Sequence, residues 1–238
     1  MIAIWKREMQ SYFSTPVGYV FMGVFLSLSG IMFYLQNVSA LSSDVLLLLS
    51  QITFLWLLLS PVLTMRLLAE ERHQKTDQLL LTSPVSLWGI VAGKYFAAVA
   101  VLFLTVFLTL AYALVIALYG KLYLGELMVG YLGFLLQGCS FLALDLYISG
   151  CARSQVTASV AAFGVNLALW VLDILATSVT VPVVTPVLNF LSLYDRYEPF
   201  LLGQLSYASI LYYVSFCAVF LMAAVRMLDA RRWREGSA

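Results

Sequence analysis

Charge is the scarcest thing in this chain. Lys, Arg, Asp and Glu make up 11% of its 238 residues, against about 25% in a soluble domain. That shortage excludes a solvated globular fold. Histidine is nearly missing as well. His73 stands alone, so no paired-histidine zinc site can form and a Ser–His triad is implausible. The cysteines, Cys139, Cys151 and Cys217, are odd in number and lack metal-type spacing. Free thiols are expected of them, not a disulfide framework. A phosphate loop is wanting too. Gly89-Ile-Val-Ala-Gly93-Lys94-Tyr95 has three residues between its glycines where a Walker motif needs four, and Tyr95 follows the lysine instead of Ser or Thr. Gly89 and Gly93 are more simply a close-packing pair on a membrane helix. No catalytic residue, metal ligand, bound cofactor or nucleic-acid partner is expected.

What the chain has in abundance is apolar length. Hydrophobic residues form 63% of it and the mean hydropathy is +0.96. Six runs approach the roughly 20 residues that a bilayer core asks of a helix: about Val17–Tyr34, Val45–Leu67, Ile90–Leu118, Leu127–Gly150, Val156–Ala176 and Tyr207–Leu228. VLLLLSQITFLWLLLSPVL lacks the alternation of barrel strands, and helices close their own hydrogen bonds in lipid. The expected fold is an all-α integral membrane protein of six transmembrane helices, one transmembrane domain over residues 1–238. No length remains for a soluble catalytic domain.

Six crossings put both termini on one side. If that side is cytoplasmic, all the Lys and Arg residues fall inside except Lys121 and Arg196, as the positive-inside rule requires. A multi-pass protein of the cytoplasmic membrane, with both termini inside, is expected.

Residues 1–14, MIAIWKREMQSYFS, space Ile2, Trp5, Met9, Tyr12 and Phe13 as one helical face, with Lys6, Arg7, Gln10 and Ser14 elsewhere. This suits an amphipathic helix in the membrane interface, its apolar face down and its basic groups at the headgroups, broken by Pro16. The run after it is too long for a signal-peptide core, so the first span is expected to remain. CARSQ, residues 151–155, is a tight inner turn. Residues 177–206 are too apolar for a solvated loop yet carry Pro182, Pro186 and Pro199 with Asp195, Arg196 and Glu198. One or two short re-entrant helices covering the outer face are expected there.

Polar residues inside the spans are few. Asp145 and Asp173 are the costly ones, at roughly 3 kcal/mol for a charge near the bilayer centre. Each lies close to a span end. Asp145 is expected to reach the inner interface and pair with Arg153, and Asp173 to reach the outer surface. Gln137 and Asn166 lie deeper and are expected to hydrogen-bond between helices.

Residues 67–86, LLAEERHQKTDQLLLTSPVS, differ in kind. A polar block from Glu70 to Gln78 leads into Leu79, Leu80 and Leu81, and Thr82-Ser83-Pro84 makes a turn, since Pro84 disfavours helix at Ser83. A helix from Glu70 to Leu81 would place acidic residues at its start, favourable to its dipole, and would offer the leucines for docking. This stretch is expected to be the handle by which a soluble partner grips the protein.

AEERHQKTDQLLLTSPVS resembles the EE-x-x-x-GT-x-E-x-LL-x-x-PVS signature of type-2 ABC exporter permeases. Lys75 stands where that family usually has Gly, and Gln78 where it has Glu. KREMQSYFSTPVGYVFMGVFLSLSG, YLGFLLQGCSFLALDLYISGCARSQ and YYVSFCAVFLMAAVRMLDARRW are similar to the elbow and first span, the fourth span with its inner loop, and the last span of the gliding-motility-associated branch. The resemblance implies a half-transporter of six spans that pairs with a second copy or a related permease. It implies two separate ABC ATPase subunits, which hold the ATP and Mg, and leaves room for an extracytoplasmic auxiliary subunit. It makes residues 1–14 an elbow helix carrying Trp5, Lys6 and Arg7. It makes residues 67–88 a coupling segment in which Glu70, Glu71, Arg72, Thr76, Gln78, Leu79, Leu80, Ser83 and Pro84 meet the ATPase, with a lesser contact at Arg153. Gln137, Asp145, Asn166 and Asp173 stand as possible pathway residues.

Two other functions compete. An ion-coupled secondary transporter would use Asp145 and Asp173, but no repeat relates residues 1–118 to 119–238. A non-transporting membrane scaffold would need no energy source at all. The residues do not name a substrate.

Overall fold

The computed structural model describes residues 1–73, 86–178 and 192–235. Helix α1 (Ile2–Ser14) stops before Pro16, which opens α2 (Pro16–Phe33) at the first helical position, where its missing N–H costs nothing. The corner is tight. A Cβ on Gly18 would lie 2.7 Å from the Tyr12 carbonyl oxygen.

A π-helical turn, Tyr34–Val38, prolongs α2. The Asn37 amide then donates 3.0 Å bonds to the Ser42 and Asp44 carbonyls, holding the loop that follows. Asp44 caps α3 (Val45–Ile52) by accepting from the Leu47 N–H at 3.0 Å.

The second span is not the unbroken helix expected over Val45–Leu67. Helix α3 and helix α4 (Phe54–Thr64) meet at a 49° bend. Thr53 supplies the cause. Its Oγ1 donates to the Leu49 carbonyl at 2.9 Å, the same oxygen that accepts its own N–H at 3.1 Å. Such back-bonding by a buried hydroxyl bends a helix.

After α5 (Ala69–His73) come α6 (Leu87–Tyr119), capped by Ser86, α7 (Leu124–Cys151) and α8 (Gln155–Ser178). A 3₁₀ turn (Asp195–Tyr197), α9 (Glu198–Leu201) and α10 (Tyr207–Glu235) complete the described chain. Among the described residues five helices are long and apolar enough to cross a membrane, and the bent pair makes a sixth if counted as one span. This is a multi-pass helical membrane protein. The turn between α7 and α8 is as short as expected, and Ser154 and Thr157 close it by exchanging side-chain to backbone bonds at 3.2 and 3.1 Å.

Helix α7 is the hub. Of its most apolar stretch 67% is buried, against 17% for α8, so α8 leaves most of its surface outside the bundle. Phe25, Trp56 and Phe134 form an aromatic cluster between α2, α4 and α7, with ring centroids 4.8 to 6.4 Å apart. Trp56 can enter because position 138 is glycine; a Cβ there would sit 3.1 Å from the indole.

Of the outer segment expected over 177–206, residues 179–191 lie outside the described residues. Part of the remainder packs at one end of the bundle. Leu193, Tyr197 and Phe200 are buried, and the Tyr213 hydroxyl donates to the Leu193 carbonyl at 2.7 Å. Phe200 packs where any side chain at Gly133 would collide with its ring.

Candidate coupling site

At the opposite end of the bundle, four charged side chains close into a ring. Lys94 Nζ lies 3.0 Å from Glu8 Oε1 and 2.8 Å from Glu71 Oε1. Arg7 Nη2 lies 3.0 and 2.7 Å from the same two oxygens. Two cations and two carboxylates leave no net charge. The neutrality is needed, because the Lys94 side chain is only 1% exposed and a buried charge without its partner is strongly destabilising. Burial works against the charge of Arg7, yet Glu8 and Glu71 hold its guanidinium above the ordinary range.

The ring joins α1, α5 and α6. Gly93, beside Lys94, lets α1 come close: a Cβ there would meet Ile4 at 3.1 Å. Of the glycine pair expected at 89 and 93, Gly93 therefore receives α1. Glu8 and Tyr12 face the protein, while Ile2 and Trp5 face outward, Trp5 Nε1 reaching the Phe96 carbonyl at 3.3 Å. Lys6 is exposed.

Further bonds tie α5 and the turn before it to their surroundings. Arg66 makes a two-point contact with Glu70, at 2.7 and 3.2 Å, and donates to Thr15 Oγ1 at 2.9 Å. Arg72 Nη1 donates to the Cys151 and Ala152 carbonyls at 3.2 and 2.9 Å, where Arg231 also reaches the Gly150 carbonyl. Ser149 Oγ accepts from the Leu68 and Ala69 N–H groups at 3.4 and 3.2 Å and donates to Met65 O at 3.3 Å. Tyr12 Oη donates to Leu63 O at 2.7 Å, satisfying a carbonyl at the end of α4. Burial, aided by the Glu8 charge, pushes the Tyr12 phenol well above its ordinary range and keeps it a donor.

Glu70, Glu71 and Arg72 thus grip the bundle itself. Of the expected helix from Glu70 to Leu81, the stretch Ala69–His73 is described, and Lys75, Thr76, Gln78, Leu79, Leu80, Ser83 and Pro84 lie outside the described residues. Arg153 is exposed in the α7–α8 turn.

Deeper in the bundle lies a second polar group. Ser60 Oγ donates to Asp145 Oδ2 at 2.5 Å, and Asn166 Nδ2 lies 3.3 Å from both Ser60 Oγ and Asp145 Oδ2. This corrects the expected Asp145–Arg153 pair. Asp145 faces α4 and α8, not the end of its own helix, and all three residues are fully buried. Asn166 bonds between helices as expected, whereas Gln137 does not. Among the described residues both Gln137 amide atoms, Asp145 Oδ1 and Asn166 Oδ1 are buried without a partner. Asp173 accepts a bond from Ser192. It lies seven positions past Asn166, about 10 Å along α8, so the two aspartates do not form one site. All three cysteines are free, and no cluster of metal-ligating residues occurs among the described residues.

Sequence reasoning missed Glu8, Ser60, Arg66 and Lys94. A lysine inside an apolar run was the available signal, since such a charge must be paired; its partners, 86 and 23 positions away, carried none.

These features define the class of protein: a polytopic helical membrane protein with a charged junction at one end. A family model described as ABC-2 family transporter protein matches residues 30–228, and the chain belongs to that family. It is a permease component of an ABC transporter, a class of membrane protein that works with ABC ATPases. No curated protein matches the chain.

Proposed function

We propose that this chain is one permease of an ABC exporter of the gliding-motility-associated branch, set in a bacterial inner membrane with both termini in the cytoplasm. Two permeases, identical or related, enclose the substrate path between them. Two ATPase subunits, which carry the ATP and Mg, dock on residues 70–86 and on the exposed turn at Arg153. Closure of the ATPases pushes the coupling segment, and the dimer alternates between inward and outward access.

One observation supports this reading above the rest: Glu71 of α5 bonds at once to Arg7 of the elbow helix and Lys94 of α6. A push on α5 is therefore delivered to α1 and α6 together, and through Arg72 to the end of α7. Charge-assisted bonds at 2.7 to 2.9 Å are short and strong, so the load is not lost in side-chain slack.

The test is co-purification with an ABC ATPase from the same genome, beginning with any encoded next to this chain. A stable complex whose ATPase rate rises in the chain's presence is expected. Glu71→Gln should keep the complex and lower the stimulation, whereas Arg153→Ala should weaken the complex. A neighbouring ATPase that neither binds the chain nor changes its rate would sink the proposal.

A further inference from the structure

The end of the bundle away from the ring carries a site of another sort. A cleft of about 540 Å³ opens there, with Asp44, Lys121 and Glu126 on its wall and Val45, Leu127 and Leu201 beneath. No ion pair joins the three charges among the described residues, although they share one cavity. Asp44 Oδ1 caps α3 and leaves its second oxygen for another donor.

Beside this cleft lies a second, of about 430 Å³, walled by Phe33, Val38, Leu41, Val115 and Tyr119. Ser43 lines both, pressed against Gly120 too closely for any Cβ. Leu41 is 92% exposed and has a φ of 51°, a conformation unusual for leucine, which leaves an apolar side chain open at the rim of this second cleft. Exposed Tyr119 and Tyr123 line the two clefts, and such tyrosines sit at the headgroup level of a bilayer.

A charged cleft beside an apolar one, at headgroup depth, has the form of a phospholipid. Two carboxylates against one lysine leave a net charge of −1, which turns anionic headgroups away. We propose that the two clefts hold one aminophospholipid of the phosphatidylethanolamine type. Its phosphate meets Lys121, its ammonium donates to Glu126 and Asp44, and an acyl chain lies along the apolar cleft under Leu41. A choline headgroup carries the same charge but no N–H to donate, so the site separates the two.

The test uses the full chain, delipidated in detergent and titrated in native mass spectrometry with phosphatidylethanolamine, phosphatidylcholine and phosphatidylglycerol of identical acyl chains. Phosphatidylethanolamine should bind about tenfold tighter than phosphatidylcholine, the worth of one charge-assisted hydrogen bond. Glu126→Gln should erase that preference, and Lys121→Gln should weaken both zwitterionic lipids. Melting curves of these surface variants should match the parent chain. Equal binding of the three lipids, tightest binding of phosphatidylglycerol, or a preference that survives both substitutions overturns the proposal. None of these readouts involves an ATPase, so failure here leaves the coupling proposal standing, and the reverse.

Discussion

The two ends of this bundle handle charge in opposite ways. At one end Arg7, Glu8, Glu71 and Lys94 close on one another within 3.0 Å. At the other, Asp44, Lys121 and Glu126 stand around an open cleft with no pair among them. Paired buried charges give directional connection between helices. Separate charges at a surface keep their capacity for something that arrives from outside. The difference teaches that in a chain so poor in charge, position alone does not tell a joint from a binding surface. The partner of each group does.

The sharpest way to break the comparison is Lys94→Met. It leaves two carboxylates facing Arg7 alone and should cost about 3–5 kcal/mol, the penalty for stranding a buried charge, seen as a large fall in melting temperature in detergent. Adding Glu8→Gln should restore part of the loss, because Arg7 and Glu71 then balance. A Lys94→Met protein that melts with the parent would show that the ring holds nothing together.

Asp145→Leu tests whether the interior group behaves like the ring or like the cleft. Ser60 loses its acceptor and Asn166 one of its two, so a loss of about 1–3 kcal/mol is expected, with Asp145→Asn costing less. A gain in stability instead would mark Asp145 as kept for a purpose other than folding. Tyr12→Phe removes one bond, to Leu63, and should cost about 1 kcal/mol in the same melting assay. The smallest effect belongs to the open end. Lys121→Gln should stay within about 0.5 kcal/mol of the parent, as exposed substitutions usually do. A larger loss would mean that the distal charges are structural after all.

Much of the architecture could be read from the chain. The apolar runs located the spans because nothing else in 238 residues competes with them. Pro16 marked the end of the elbow helix, since proline can begin a helix but not continue one. The bend at Thr53 was not legible: a threonine in an apolar run looks the same whether its hydroxyl bonds back to Leu49 or to a neighbour. For Asp145, nearness in sequence suggested Arg153, while folding brought Ser60 from 85 positions away. The block after the second span stood out by its polarity, yet in its described residues that polarity serves inward bonds. Glu70, Glu71 and Arg72 each look like surface residues until α1, α6 and the α7–α8 turn are placed around them.

The ring also decides how the junction meets the ions of the cell. Electrolyte screens charges that water can reach, over about 8 Å at physiological strength, and barely touches those it cannot. Lys94 is sealed, but Arg7 is 57% exposed. Rising salt will therefore loosen the elbow's grip on α5 through Arg7 while the Lys94 contacts hold, so the junction yields at one corner before it yields as a whole.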